Sequence, residues 1–402
     1  MKRIARIWRG LGILARTVFV CIAAILLLTG IAVLALGSLS TQEESGPTRP
    51  FTLVPAEPAP TPVPLPEFTF PDVDDSLFFD DRPVSTLTGM HANEEELVRR
   101  PIAVVINNQF GAHPHSGIAY ADIIYQVLVE GTTTRLVAIF QSVIPEKIGP
   151  VRSARDYFVD FAFNHDALLV HHGASGTGHQ RIGNLLGSNA IDGIRFEGSV
   201  FWRDRSFPEW TGNTQARSLE HSSYVGWETL LAHIEARNLR GYFNGIGDNS
   251  GYGFAFGALP AGIESIKENV AQVAVPFSRH SQTFFNLCED TGHFYVEHLH
   301  GPWQDDSMRQ VSVANVLVQH AAIRIVDGEG RRSVDTVGSG TGYLVRSGQV
   351  FSVRWEKLSH TSPMRWFFED GRPLVLAPGR TWINVLQTTV QPEFLTEARA
   401  DE

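Results

Sequence analysis

The chain has 402 residues, of which 43% are hydrophobic and 10% aromatic, and its formal net charge is −10. That is enough apolar material for one large core or two modest ones. The acidic balance argues against broad binding to nucleic acid, because no long basic stripe follows residues 1–16. Cys21 lies inside an apolar segment and Cys288 is far from it, so the two cysteines do not suggest a disulfide framework or a CxxC metal site.

The N-terminus has the pattern of a membrane anchor. Residues 1–16 are basic and residues 17–37 carry no charge, which matches the roughly 20 apolar residues that span a bilayer. The basic tail predicts a cytoplasmic N-terminus and a single-pass transmembrane helix in the cell membrane, with the rest of the chain extracytoplasmic. A cleaved signal peptide is the alternative, since the sequence ALG near the end of the apolar stretch has the form of a cleavage site.

Composition divides the rest of the chain into a linker and a two-lobed folded part. The proline-rich segment 38–85 predicts an extended stalk, because it holds too few apolar residues to fold. The expected segments after it are an α/β lobe at 86–240, a connector rich in glycine and aromatic residues at 241–268, a β-rich lobe at 269–388 and a tail at 389–402. The predicted fold class is α+β, with a mixed-sheet α/β N-terminal lobe followed by a smaller antiparallel β-rich lobe.

The first lobe alternates apolar segments with polar loops. The segments predicted as strands are 101–106, 121–129, 134–143 and 167–170. The short connection between the second and third predicts an antiparallel hairpin. Helical patterns follow the third and fourth, so the sheet is expected to be partly parallel.

The loop 149–155 (GPVRSAR) joins the third predicted strand to a predicted helix. Ser153 is the expected N-cap of that helix. The free N–H groups at a helix start, together with Arg152 and Arg155, would attract an anion. The alternative is that these arginines pair with neighbouring carboxylates such as Glu130 or Asp156.

Polar residues follow the predicted strands, where functional groups collect in open α/β sheets. They are Asn108, Glu130, Arg152, Arg155, His171, His172 and Ser175. A hydrolase or transferase would need a general base (Glu130 or a histidine), a stabilising arginine and a nucleophile such as Ser175. The same groups would equally bind an acidic ligand. Because His171 and His172 are adjacent on a strand, they should face opposite ways.

Arg203, Asp204 and His221 are further candidates for ligand binding. The alternative for Arg203 and Asp204 is an ion pair with each other. Ser222 or Ser223 is expected to cap a helix predicted just after His221, and that helix start would lower the pKa of the imidazole.

Two H-x-H pairs raise the question of a metal. His113 and His115, like His298 and His300, have the i, i+2 spacing that places both rings on one face of a strand. No H-x-x-x-H or HExxH motif accompanies them, so we predict no metal and no other cofactor.

The second lobe has the pattern of β structure. Tight turns are expected at 327–328, 347–348 and 370–371. Trp355, Trp366 and Trp382 are candidates for stacking on sugar rings, and core packing is the alternative.

Several longer motifs extend between Leu87 and Leu386. They are RPIAVVINN, SGIAYADIIYQVLVEG, TTRLVAIFQS, EKIGPVRSARDYF, HHGAS, FWRD and VGSGTGYL. Together they resemble the YerB-type bacterial cell-surface family, whose domain is of unknown function. The chain departs from the family pattern at Ala174, where a second glycine is common, and at Glu220 and Ser222, where a Pro-His-Asn run is common. The resemblance implies an envelope location and no known reaction.

The sequence therefore predicts a membrane-anchored extracytoplasmic protein that binds an anionic component of the cell envelope. The expected partner, besides the membrane, is a cell-wall polymer or an envelope protein. The alternative is an envelope hydrolase or transferase that uses Glu130, a histidine of the HHGAS turn and Arg152.

Overall fold

The computed structural model describes residues 83–244 and 254–398. The predicted cytoplasmic tail, anchor and nearly all of the stalk lie outside the described residues. Within the described ranges, no helix is both long and apolar enough to cross a bilayer. All described residues belong to one compact unit.

The α-helices of the described chain are short. They are α1 Glu94–Val98, α2 Asp156–Phe163, α3 Gly176–Arg181, α4 Gly193–Phe196 and α5 Trp227–Ala236. A π-helical turn, Ile182–Leu186, continues α3.

The strands dominate the fold. In chain order they are β1 Ile102–Asn107, β2 Ile123–Leu128, β3 Thr134–Phe140, β4 Leu168–His171, β5 Ala190–Asp192, β6 Trp202–Arg203, β7 Ser223–Tyr224, β8 Ala255–Phe256, β9 Gln272–Ser278, β10 Ser281–Leu287, β11 Phe294–His298, β12 Gly301–Pro302, β13 Ser312–Val313, β14 Asn315–Ala321, β15 Ile323–Ile325, β16 Arg332–Val334, β17 Gly338–Arg346, β18 Gln349–Lys357, β19 Arg365–Phe368, β20 Val375–Leu376, β21 Thr381–Gln387 and β22 Glu393–Leu395.

A ten-stranded mixed sheet has the order β19-β18-β17-β14-β21-β2-β3-β1-β4-β5. The predicted β2–β3 hairpin is confirmed as antiparallel. The predicted parallel character is confirmed where β4 pairs with β1 and β5. With few helices and a β-rich C-terminal region, the fold is α+β, as predicted.

Strand β21 lies between β14 and β2 and runs parallel to both. The strands of the two predicted lobes thus share one continuous sheet. The hairpin turn predicted between β17 and β18 is confirmed, since Ser347 and Gly348 both have positive φ, at 47° and 72°. That backbone is typical of the two-residue turns that match strand twist.

A six-stranded antiparallel sheet has β12-β11-β10-β9-β22 as its main path, with β13 paired to β11. It packs on one face of the larger sheet, where Val273 and Phe285 share a core with Ile102. Helix α2 covers the other face through Tyr157 and Phe161. Because both faces are covered, every residue of β1 and β3 is buried.

The three tryptophans singled out in the second lobe lie in this interior. Trp355, Trp366 and Trp382 are 3%, 6% and 0% exposed. Core packing is therefore their role, and they offer no platform for a sugar.

Helix α2 begins differently from the prediction. Its N-cap position is Arg155, which makes no side-chain cap. The predicted cap at Ser153 is wrong, because the Ser153 hydroxyl donates to His172 O at 3.0 Å. The serine thus ties the GPVRSAR loop to the end of β4 instead of the start of the helix.

Candidate functional site

A cleft with a volume of about 430 Å³ opens where three segments meet. The loop after β1 contributes Phe110 and His113, a 3-10 turn contributes Trp210, and the turn between β11 and β12 contributes His300. The other lining residues are Gly111, Pro114, Phe207, Thr211, Asn213, His298, Pro302 and Gln304. We call this the aromatic cleft. None of its described lining residues carries a carboxylate, ammonium or guanidinium group.

Two of the rings in the aromatic cleft are unusually open to solvent. Phe110 is 71% exposed and Trp210 is 43% exposed. Trp210 is held in place because its indole Nε1 donates to Asp306 O at 3.0 Å. The Phe110 ring meets His300 edge to face, with centroids 4.7 Å apart. Exposed aromatic rings held in a concave site are typical of ligand-binding surfaces.

A narrower cavity of about 70 Å³ adjoins the aromatic cleft and shares Phe110, His113, His298 and His300 with it. Gln126 also lines this cavity. Its amide oxygen accepts hydrogen bonds from Thr283 Oγ1 at 2.9 Å and from Trp382 Nε1 at 3.1 Å. The narrow cavity thus has a polar wall whose orientation is fixed from the core.

His113 is oriented by a short chain of hydrogen bonds. Asn108 Nδ2 donates to Thr134 Oγ1 at 2.7 Å, so Asn108 Oδ1 is left to accept from His113 Nε2 at 3.0 Å. Burial, then the neighbouring His115 and His298, holds the pKa of His113 well below its ordinary value. The ring is therefore neutral at physiological pH. Asn108, which was predicted to bind a ligand, orients this imidazole and also lines the narrow cavity.

His115 lies behind His113 and is fully buried. Its Nε2 donates to Asn107 O at 2.8 Å, and its Nδ1 accepts from Trp303 Nε1 at 3.2 Å. Burial lowers the pKa of His115 to about 3. Both ring nitrogens are used, so His115 is part of the framework of the cleft.

The two H-x-H pairs meet at the aromatic cleft, because the rings of His113 and His298 are 4.7 Å apart. Even so, no group of three His, Cys, Asp or Glu side chains within the described ranges is arranged to hold a metal ion. Burial, then His300, lowers the pKa of His298 to about 4. His113 and His298 are therefore neutral imidazoles on the wall of the aromatic cleft.

His221 borders the aromatic cleft at Gly111. A Cβ on Gly111 would lie 2.8 Å from His221 Cδ2, so a larger residue there would require the His221 ring to move. The pKa of His221 is lowered, as predicted, but the largest cause is burial. The predicted cause is wrong, because α5 has Gly226 as its N-cap and neither Ser222 nor Ser223 caps it.

Arg152 and His221 both contact the side chain of Glu220. Arg152 Nη2 binds Glu220 Oε2 at 2.9 Å, and the two side chains are 27% and 50% exposed. His221 Nε2 is 3.7 Å from the other oxygen of Glu220. An exposed ion pair of this kind contributes little stability and exchanges readily with other partners.

Arg155 is buried and its Nη2 binds Glu130. The other oxygen of Glu130 lies 3.5 Å from Arg135 Nη2. Burial, then Arg155, lowers the pKa of Arg135 to about 9. Arg155 therefore pairs with Glu130, which was the alternative to anion binding. The Glu130 carboxylate lies between two guanidinium groups.

His171 and His172 at the end of β4 have different neighbours, as the alternation of side chains along a strand predicts. His171 is buried, with its Nδ1 2.8 Å from Gly173 O. His172 contacts Ser223 Oγ through Nδ1 at 2.9 Å and Arg203 Nη2 through Nε2 at 3.0 Å. Since Arg203 can only donate, His172 Nε2 accepts and Nδ1 carries the proton. In this state His172 cannot take a proton from Ser223.

The remaining predicted residues, Ser175, Arg203 and Asp204, each have partners of their own. Ser175 Oγ caps α3 by accepting from Gly178 N at 3.1 Å. Arg203 binds Glu197, whereas Asp204 binds Lys147 at 2.8 Å. The alternative of an ion pair between Arg203 and Asp204 is wrong, because each residue has a different partner.

Comparison with known proteins identifies the family. The sequence model of the N-terminal domain of DUF3048, described as a protein of unknown function, matches residues 87–240, and that of its C-terminal domain matches residues 273–383. The chain belongs to the DUF3048 family.

Two findings on relatives agree with this assignment to DUF3048. A Bacillus subtilis (strain 168) protein named "Putative lipoprotein YerB" is 33% identical over 308 residues, which cover 75% of this chain and 85% of the relative. The crystal structure of the YerB protein from Bacillus subtilis superposes with a TM-score of 0.64 at 29% identity, covering 76% of this chain and 97% of that one. The resemblance inferred from the motifs is confirmed.

In this DUF3048 chain, sequence reasoning missed the aromatic cleft itself. Phe110 and Trp210 lie in 3-10 turns, where no periodic pattern marks them. The H-x-H pairs were a visible signal. The contact between the two pairs depends on the packing of β1 against the six-stranded sheet. The spacing of the histidines within each motif does not predict that packing.

Proposed function

We propose that this protein binds a saccharide part of a cell-envelope polymer in the aromatic cleft. The observation that carries the proposal is a concave surface with exposed aromatic rings and no charged side chain among its described lining residues. Sugar rings present C–H faces to aromatic rings and hydroxyl groups to amides and imidazoles. Asn213, Gln304 and the neutral His298 supply such polar partners.

The proposed location is the outer side of the cell membrane, with residues 17–37 as the anchor. The apolar stretch and the basic residues before it support this orientation. The name of the 33% identical relative, which contains the word lipoprotein, also supports attachment to the envelope.

The anionic ligand group predicted from the sequence would bind near Arg152. Arg152 and His221 both contact Glu220, and His221 borders the aromatic cleft at Gly111. A phosphate or carboxylate carried by the polymer could replace the exposed Glu220 as the partner of Arg152. The proposed ligand is thus a saccharide with acidic substituents.

The hydrolase or transferase alternative has less support. Its general base, Glu130, is bound by Arg155 and Arg135. Glycoside hydrolysis commonly needs two carboxyl groups beside the sugar, and the described lining of the aromatic cleft contains none. Binding is therefore the function that the geometry supports best.

The experiment is a calorimetric titration of the full-length protein in detergent micelles. The probes are a β-1,4-linked N-acetylglucosamine tetramer and poly(glycerol phosphate). We expect the tetramer to bind, and Phe110→Ala to weaken it about fivefold to tenfold. Leu358→Ala is the matched control, because Leu358 is 62% exposed. Binding of poly(glycerol phosphate) alone, unaffected by Phe110→Ala, would contradict the proposal.

A further inference from the structure

A second cavity, of about 150 Å³, lies beside the aromatic cleft. It is lined by Ser116, Lys147, Ser206, Pro208, Arg217 and Asp306, and we call it the charged cavity. The two spaces share a wall. Trp210 of the cleft donates to Asp306 O at 3.0 Å, and Arg217 Nη2 donates to Pro114 O at 3.0 Å. A ligand in the aromatic cleft therefore has charged groups within reach.

Lys147 supplies the accessible cation of the charged cavity. Its Nζ donates to Asp204 Oδ2 at 2.8 Å and lies 3.7 Å from Asp306 Oδ2, and the side chain is 34% exposed. The ammonium also lies over the Tyr224 ring, 4.6 Å from its centroid. An ammonium has three N–H donors, so Lys147 retains donor capacity for a ligand.

Asp306 supplies the accessible anion. Its Oδ2 accepts from Ser116 Oγ at 2.6 Å. Its Oδ1 accepts no hydrogen bond from a residue in the described ranges, and the side chain is 25% exposed. An ionised carboxylate with one oxygen open to a cavity favours a cationic partner.

Arg217 forms the rigid side of the charged cavity and is only 3% exposed. Its guanidinium donates to three backbone oxygens, those of Ala112, Pro114 and Ser206. These bonds tie the loop after β1 to the segment that carries Trp210. The shapes of the cleft and of the charged cavity are thus set by the same side chain.

We infer that the charged cavity holds the zwitterionic end of a short peptide attached to the saccharide in the aromatic cleft. The peptide's ammonium group would bind Asp306 Oδ1, and its carboxylate would bind Lys147. The ammonium and carboxylate of an amino acid are separated by roughly 3 Å, comparable with the 3.7 Å between Lys147 Nζ and Asp306 Oδ2. This inference rests on the proposed function, because it assumes a saccharide in the cleft.

The test compares two ligands on the full-length protein in detergent. One is a disaccharide of N-acetylglucosamine and N-acetylmuramic acid bearing a peptide that ends in a diamino dicarboxylic acid residue, whose far end carries a free amino group and a free carboxyl group on the same carbon. The other has that amino group acetylated and that carboxyl group amidated. We expect the free form to bind about tenfold more tightly, the ratio typical of one satisfied charged contact.

Two variants assign that difference to the charged cavity. Lys147→Met and Asp306→Asn should each remove the preference for the free form and leave the Kd of the N-acetylglucosamine tetramer unchanged. Lys267→Met is the matched control, because Lys267 Nζ donates to Phe394 O near the six-stranded sheet. It should preserve the preference.

The outcomes separate the inference from the proposed function. Equal Kd values for the free and capped peptides, with tetramer binding intact, overturn the inference and leave the proposed function standing. A loss of tetramer affinity in Lys147→Met and Asp306→Asn that equals the loss for the free peptide also overturns it. Absence of binding for every ligand overturns both.

Discussion

The imidazole rings of His113 and His298 meet edge to face with their centroids 4.7 Å apart. His113 follows β1 of the ten-stranded sheet, whereas His298 ends β11 of the six-stranded sheet. The contact therefore joins the two sheets at the aromatic cleft. Burial lowers the pKa of both rings, so at neutral pH two uncharged imidazoles meet without repulsion.

This contact predicts a loss of stability in acid. The pKa of His298 is about 4 in the folded protein, below its ordinary value of 6.5. Between these values the unfolded chain binds more protons than the folded chain, so the free energy of unfolding falls as the pH falls. We expect His298 to contribute on the order of 1–2 kcal/mol to that fall, after allowance for its partial exposure. Urea unfolding at several pH values measures it, and His298→Gln should flatten the curve. An unchanged slope in the variant would contradict the prediction.

Trp210→Ala should separate binding from stability. The indole is 43% exposed, so its removal should change the free energy of unfolding by less than about 1 kcal/mol. Affinity for the N-acetylglucosamine tetramer should fall about tenfold, since a stacking surface of the aromatic cleft is lost. Tyr295→Ala is the control, because Tyr295 is 41% exposed on β11. Equal effects of the two substitutions on affinity would argue against the cleft.

Glu130→Gln should destabilise the protein much more than Glu220→Gln. Glu130 neutralises two arginines, Arg135 and Arg155, whose side chains are 9% and 8% exposed. Removal of its charge leaves two buried guanidinium groups without a counter-ion, which should cost about 2–4 kcal/mol. Glu220 pairs with the more exposed Arg152, so its loss should cost less than about 1 kcal/mol.

Chemical denaturation of both glutamate variants tests this ranking. Equal losses of unfolding free energy would show that the Glu130 cluster is not a buried counter-ion site. A Glu130→Gln variant of native stability that lacked a hydrolytic activity of the parent protein would instead favour the general-base alternative.

Local patterns were sufficient to predict the main strands of the first lobe. The apolar segments that became β1 to β4 are buried on both faces, which produces continuous hydrophobic runs. The position of β21 between β14 and β2 could not be predicted, because it depends on pairing between segments distant in the sequence.

The candidate site was less predictable than the fold. The pairing of Arg155 with Glu130 was one of two alternatives, and only tertiary packing decides between them. His113 and His298 were visible in their H-x-H motifs, yet their contact requires two sheets to pack together. Trp210 had no distinguishing pattern, because its exposure in an irregular segment is a property of the folded chain.

A buried lysine gives the fold a second dependence on pH, which has the same sign as that of His298 and falls in the alkaline range. Lys357 is 1% exposed, and its Nζ donates to Asn164 Oδ1 at 2.7 Å. Burial, opposed by Asp160, lowers the pKa of Lys357 from 10.5 to about 8. Between these two values the unfolded chain again binds more protons than the folded chain. The free energy of unfolding should therefore rise as the pH is raised through this window.

We expect this alkaline gain to be on the order of 1–3 kcal/mol between about pH 8 and pH 10. Lys357→Met keeps most of the side-chain volume and removes the titrating group. The variant should lack the gain, whatever its stability at neutral pH, because the slope depends only on the difference in bound protons. Urea unfolding of both proteins across this range provides the measurement. If the free energy of unfolding rose equally with pH in both proteins, a group other than Lys357 would be responsible for the gain.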